Sequence, residues 1–156
     1  MALEGIEQPP LRIYLDVCCL NRPFDDQRQD RIRLESEAVL LILGHCEAGT
    51  WQWISSAVVE EEVNNMPSSE RRHRVRSMLS GAHSMVALTE AAVIRAQEIK
   101  AMGFRTYDAL HLACAEQATV NIFLTTDDRV IRIATSHAEK LHVRVANPLT
   151  WLMEVR

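Results

Sequence analysis

Short runs of branched and aromatic residues alternate with helix-length stretches along this chain, and no two-residue hairpin signal joins any pair of runs. Strands separated by helices pair in parallel, so the pattern predicts an α/β fold: a three-layer αβα sandwich around a mostly parallel sheet. The first run, Leu11 to Asp16, reads as a buried strand that ends in an acid. Trp51 to Ser55, Met85 to Leu88, Asn121 to Thr125 and Val143 to Val145 read as the other strands. The segment after Asp16, through Asn21, Pro23, Phe24 and Asp26, reads as a loop.

The helices announce themselves by period and by their ends. Apolar residues recur at helical spacing from about Gln29 to Glu47, and Gly49 closes the run. Ser55 and Ser56 offer caps for a helix over Ala57 to Met66, which Pro67 stops, and Ser68 and Ser69 cap a basic helix from Glu70 to Leu79. Thr89 and Thr106 are read as caps of helices reaching Met102 and about Ala118, the first closed by Gly103. Thr126 is read as the cap of a helix from Asp128 to His137, and Pro148 opens a terminal helical turn.

With 156 residues, 47% of them hydrophobic, the chain is long enough to bury roughly 70% of its unfolded surface. One domain is expected from residue 11 to 156, preceded by a loose, polar tail over residues 1 to 10. A formal charge of -4 with this apolar content excludes a disordered chain. The longest apolar stretch, Ala38 to Leu43, falls far short of the ~18 residues of a membrane span. The N-terminus lacks the basic and apolar blocks of a signal peptide, so the expectation is a cytoplasmic protein with no membrane contact. Cys18, Cys19, Cys46 and Cys114 form no C-x-x-C pair and are expected as free thiols.

The acids carry the functional signal. In an open parallel sheet, ligands sit beyond the carboxyl ends of the strands. Asp16 closes the first strand, Asp127 and Asp128 follow Thr125-Thr126, Glu60, Glu61 and Glu62 lie early in the helix after the second strand, and Asp108 begins a later helix. An acid in a helical first turn is worth about 0.3 to 1 kcal/mol against the macrodipole, and Asp127 can serve as an N-cap, so each has an ordinary structural reading. Asp16 resists it, because a carboxylate ending an apolar central strand puts charge near the core. Carboxylates gathered on one rim repel and hold protons unless a cation sits among them, and hard oxygen ligands favour Mg²⁺ or Mn²⁺.

Four segments, Ile13-Tyr-Leu-Asp16, Ile54-Ser-Ser-Ala-Val-Val-Glu-Glu61, Tyr107-Asp-Ala-Leu-His-Leu-Ala113 and Phe123-Leu-Thr-Thr-Asp127, resemble in order and spacing the acidic motifs of the PIN-domain nucleases. The resemblance extends from about Leu11 to Leu152 and is greatest to the VapC-like toxins of toxin–antitoxin pairs. It implies that Asp16, Glu61, Asp108 and Asp127 are catalytic, metal-binding carboxylates that hold Mg²⁺ or Mn²⁺. Glu61 is chosen by its distance from Ser55 in the motif. Consecutive helix residues point about 100° apart, so only one or two of the three glutamates can face a site, and Glu60 and Glu62 remain alternatives. Asp128 and Thr125 are secondary candidates.

The sequence departs from the family at one point. Where the family carries a hydroxyl or amide residue after the first Asp, Val17, Cys18 and Cys19 stand here, and Asn21 is a candidate substitute. The implied reaction is hydrolysis of RNA phosphodiesters to a 5′-phosphate and a 3′-hydroxyl, and the implied partners are an antitoxin and a second copy of the chain. Setting the four expected ligands aside leaves the rest of the chain formally neutral. Fifteen of its 17 basic residues are arginine, and Arg22, Arg28, Arg71, Arg72 and Arg74 are candidates for tracking an RNA backbone. A phosphoaspartyl hydrolase would need an Asp where Cys18 stands, and a nucleotide-binding module would need a glycine-rich loop that five isolated glycines do not make. The alternative function on the same fold is a PIN-like module that binds RNA or protein without cutting.

Overall fold

The computed structural model describes residues 8–155, so most of the expected 1–10 tail lies outside the described residues. Five strands form one all-parallel sheet: β1 (Leu11–Leu15), β2 (Trp51–Ser56), β3 (Ser84–Val86), β4 (Ile122–Leu124) and β5 (Arg144–Ala146), in the order β3-β2-β1-β4-β5. Eight helices lie around it: α1 (Val17–Asn21), α2 (Asp30–Glu47), α3 (Ala57–Asn64), α4 (Ser69–Leu79), α5 (Glu90–Lys100), α6 (Thr106–Gln117), α7 (Asp128–Ser136) and α8 (Pro148–Val155). This is the expected three-layer α/β sandwich, and every described element from Leu11 to Val155 builds on the one sheet. No helix among the described residues is long and apolar enough to cross a membrane.

β1 sits at the centre because both of its edges are paired, Ile13 with Trp53 on one side and with Ile122 on the other. Strands covered on both faces need apolar side chains on both, and Ile13, Tyr14, Leu15, Ile122, Phe123 and Leu124 are all 0–1% exposed. Burying one such side chain is worth about 1.5–3 kcal/mol. Trp51 and Trp53 belong to this core, as the alternation of their strand implies. α2 packs against α8, and α3 and α5 pack against α6.

The helix ends follow capping chemistry. Ser56 accepts from the Val59 amide, Ser68 from Arg71 and Thr89 from Ala92. Gly49 and Gly103, at φ +82° and +117°, take left-handed conformations just past α2 and α5. Two expected caps fail. Thr106 is the first residue of α6 rather than its cap, and Asp127, not Thr126, caps α7 by accepting from the Arg129 and Val130 amides.

The largest departure from expectation is the segment after β1. Asp16 turns back on its own successor, its Oδ1 accepting from the Val17 amide at 2.8 Å, and starts a five-residue helix where a loop was expected. A short 3-10 turn over Arg22–Phe24 follows, with Pro23 in its first turn. A helix this short leaves no periodicity to read, and only the cap reveals it.

Candidate active site

The chain runs from β1 outward to β2 and β3, then crosses to the other side of β1 for β4 and β5. The order therefore reverses between β1 and β4, and the crevice beyond their carboxyl ends is where an open sheet binds ligands. Asp16 follows β1 and Thr125 follows β4 at this crevice, tied across it by the Asp16 amide donating to the Leu124 carbonyl at 2.9 Å.

Asp16 is the buried centre of the site, 7% exposed. Its Oδ2 accepts from the Thr125 hydroxyl at 2.8 Å and more weakly from the Cys18 thiol at 3.5 Å. Thr125 also receives the Asp127 amide on its Oγ1 at 3.1 Å, so one hydroxyl links two of the acids. The hydrogen bond put in doubt by Val17-Cys18-Cys19 is thus supplied from β4. Asn21 does not substitute for it: among the described residues, Asp16 accepts from Val17, Cys18 and Thr125 and not from the Asn21 amide.

Of the three glutamates in α3, the structure brings Glu62 to Asp16. Glu61, the residue chosen by motif distance, is exposed, and Glu60 is half-buried without a hydrogen bond to the cluster. Helical geometry explains this placement. Glu62 follows Val58 by four residues and Val59 by three, continuing the buried stripe, whereas Glu61 turns off it.

His111 of α6 joins them, and sequence reasoning missed it as a site residue. It is 0% exposed, its Nε2 lies 3.4 Å from Glu62 Oε1 and 3.9 Å from Asp16 Oδ1, and its Nδ1 meets the Tyr14 hydroxyl at 2.7 Å. Two signals pointed to it. It lies three residues after Asp108, hence on the same helical face, and it is the one polar residue in the apolar stretch Ala109 to Ala115.

Electrostatics link Asp108 and Asp127 to this cluster. Asp108 is pushed up to about 6, first by burial and then by the charges of Asp16, Asp127 and Glu62, with His111 opposing. Burial raises Asp16 as well, with Glu62 adding to the rise and His111, Thr125 and Cys18 opposing it. For His111, burial acts downward, but the Glu62 hydrogen bond and the charges of Asp16, Glu62 and Asp108 outweigh it and the net shift is up. Asp127 spends its Oδ1 on the α7 cap, its ordinary structural role.

Among the described residues, no arginine or lysine pairs with Asp16, Glu62, Asp108 or Asp127. Asp16, Glu62 and His111 bring ligand atoms within 4.8 Å of one another, and Asp108 lies near enough to feel their charges and that of Asp127. The donor set suits a divalent cation, which would relieve both the repulsion and the burial of charge. Asp128 stands apart, engaged in a bidentate pair with Arg31 at 2.7 Å that pulls its carboxyl below the ordinary range.

The sequence matches the PIN domain family over residues 13–136. The chain belongs to the PIN domain family. Comparison with curated proteins finds no match. Among solved structures, this PIN domain is similar to a chain of FitAcB from Neisseria gonorrhoeae, at 18% identity and a TM-score of 0.58, covering 87% of this chain and 97% of that one. It is also similar to a chain of VapBC2 from Rickettsia felis, whose crystal holds a DNA fragment from their promoter, at 13% identity and a TM-score of 0.59, covering 88% and 98%. At these identities the likeness shows the fold.

The arginines of the PIN domain are mostly engaged. Arg22 binds Glu35 and Asp25, Arg71 shares Asp25, Arg28 pairs with Asp26, and Arg74 pairs with Glu70 while lying 5.7 Å over the Phe24 ring. Arg72 differs: among the described residues its guanidinium binds the Met66 carbonyl and pairs with no carboxylate.

Proposed function

We propose that this PIN domain is a divalent-metal-dependent endoribonuclease acting as the toxin of a toxin–antitoxin pair, with Asp16, Glu62, Asp108 and Asp127 as its catalytic carboxylates. The observation that supports the reading is the approach of Asp16, Glu62 and His111 to within 4.8 Å of one another, with Asp108 feeling their charges and that of Asp127, and no arginine or lysine among the described residues paired to the four acids. A divalent cation held there supplies positive charge to the scissile phosphate and lowers the pKa of water at neutral pH.

The chain's own residues supply position. Asp16 is fixed at one oxygen by the Val17 amide and at the other by the Thr125 hydroxyl, so its carboxylate enters the site in one orientation. Asp127 is fixed by the cap of α7, and Glu62 and Asp108 come in from α3 and α6. Such preorganisation lets the site meet a phosphodiester without rearranging. Arg72, paired with no carboxylate among the described residues, is the strongest of the five candidate arginines for the RNA backbone. The others engage phosphate only by exchanging a carboxylate partner for it.

The binding-only reading drew on the Val17-Cys18-Cys19 departure. Thr125 answers that departure, since Asp16 has its hydroxyl hydrogen bond from another strand. An antitoxin partner is supported by the motif resemblance and by the likeness to chains of FitAcB and VapBC2, and a homodimer by the motif resemblance alone. Cleavage of an end-labelled RNA mixture with and without metal tests the activity. Light scattering of the purified chain, alone and with the product of an adjacent gene, tests the partners.

A further inference from the structure

We propose that His111 is a nitrogen ligand of the divalent cation, joining Asp16 and Glu62, and that it shifts the preference of the site from Mg²⁺ toward first-row transition-metal ions. The inference rests on the metal-dependent reading above and deepens it.

The imidazole is fully buried in an apolar stretch of α6, so its orientation is fixed by what its two nitrogens meet. Nδ1 meets the Tyr14 hydroxyl at 2.7 Å, and that hydroxyl meets Ser56 Oγ at 2.6 Å. A ligand role requires Nδ1–H to donate to Tyr14 and Tyr14 to donate to Ser56, an arrangement both contacts allow, which leaves the Nε2 lone pair facing Asp16 and Glu62. Metal-binding histidines are held in this way, the second ring nitrogen tied to a fixed acceptor. Tyr14 is itself immobile, stacked on Phe123 with ring centroids 5.1 Å apart.

Distances separate this role from that of a simple counter-ion. A charge-assisted N–H···O bond between imidazolium and carboxylate closes to about 2.7–2.9 Å. His111 Nε2 stands 3.4 Å from Glu62, a long hydrogen bond, and 3.9 Å from Asp16, beyond hydrogen-bond reach. Two atoms that each bind one ion at about 2.1 Å lie up to ~4.2 Å apart, and both separations fall inside that span. Imidazole is a poor ligand for Mg²⁺ and a good one for transition-metal ions.

The test uses the whole protein, freed of metal and titrated with Mn²⁺. Pulsed EPR of the parent is expected to show ¹⁴N modulation from one directly bound imidazole, absent in His111→Gln. Mn²⁺ affinity is expected to fall about tenfold or more in that variant while Mg²⁺ affinity changes by less than about threefold. Tyr14→Phe, which keeps the ring and removes the acceptor, is expected to weaken Mn²⁺ binding by a smaller factor. Mn²⁺ bound with no nitrogen coupling in the parent would overturn the role of His111 and leave the four-carboxylate reading standing. A parent that binds no Mn²⁺ would overturn both. The parent spectrum decides the question even if a variant fails to fold.

Discussion

The Thr125 hydroxyl donates to Asp16 Oδ2 at 2.8 Å and, on the same oxygen, accepts from the Asp127 amide at 3.1 Å, so one side chain at the end of β4 aligns acids from two strand ends. Thr125→Val keeps the shape and removes both contacts. Leaving a buried acceptor unpaired costs about 1–3 kcal/mol, and loss of an orienting hydrogen bond lowers metal affinity about 10–100-fold. Chemical denaturation and Mn²⁺ titration of the variant check the two effects separately.

Glu62 and Glu61 make a matched pair. Glu62→Gln removes a carboxylate within reach of Asp16 and His111 and is expected to lower cleavage by on the order of 100-fold. Glu61→Gln, on the exposed side of α3, is expected to leave the rate within about twofold. Cleavage rates of the two variants under matched Mg²⁺ or Mn²⁺ check the assignment, and the reverse order would return it to Glu61.

The metal-free protein carries a pH signature. Asp108 titrates at about 6 in the fold against an ordinary 3.8, so the folded state holds the proton more tightly than the unfolded chain. Stability from this group is therefore lost as pH rises from the ordinary value through about 6. Asp16, also raised, acts in the same sense. So does His111, whose raised pKa gives stability that disappears as pH climbs through it. A bound cation reverses the balance, since it replaces those protons. Thermal melting in EDTA is expected to show a lower Tm at about pH 7 than at about pH 5, with Mn²⁺ raising Tm more at the higher pH.

Much of this was legible in the sequence. The strand at Leu11 declared itself by composition, and Gly49, Ser56, Ser68 and Thr89 marked helix ends by chemistry that acts locally. Asp16, Asp108 and Asp127 could be placed on one rim because a parallel sheet puts every strand end on the same side. The glutamate could not be chosen by motif distance, because the face of α3 that meets α6 is set by packing. The buried stripe at Val58, Val59 and Val63 held the answer. α1 escaped because five residues show no period, and His111 escaped because its partners, Tyr14 and Glu62, lie far away in the chain.

Arg72 is the one candidate RNA contact that pairs with no carboxylate among the described residues. Arg72→Ala is expected to weaken RNA binding and to reduce the salt dependence of binding by about one counterion, with kcat little changed. Arg28→Ala, which removes a fully exposed pair with Asp26, is expected to do much less. Fluorescence anisotropy of a labelled RNA across salt concentrations, in EDTA to prevent cutting, checks both.

The most direct test of the central claim is cleavage of an end-labelled RNA mixture by protein purified free of metal and of any bound partner, with Mg²⁺, with Mn²⁺ and with EDTA, and Asp16→Asn run beside the parent. The account predicts cleavage that requires the metal, leaves 5′-phosphate ends and disappears in Asp16→Asn, while the variant stays folded and still binds RNA. Equal cleavage by Asp16→Asn under the same metal, or no cleavage by the parent in any condition, would contradict it.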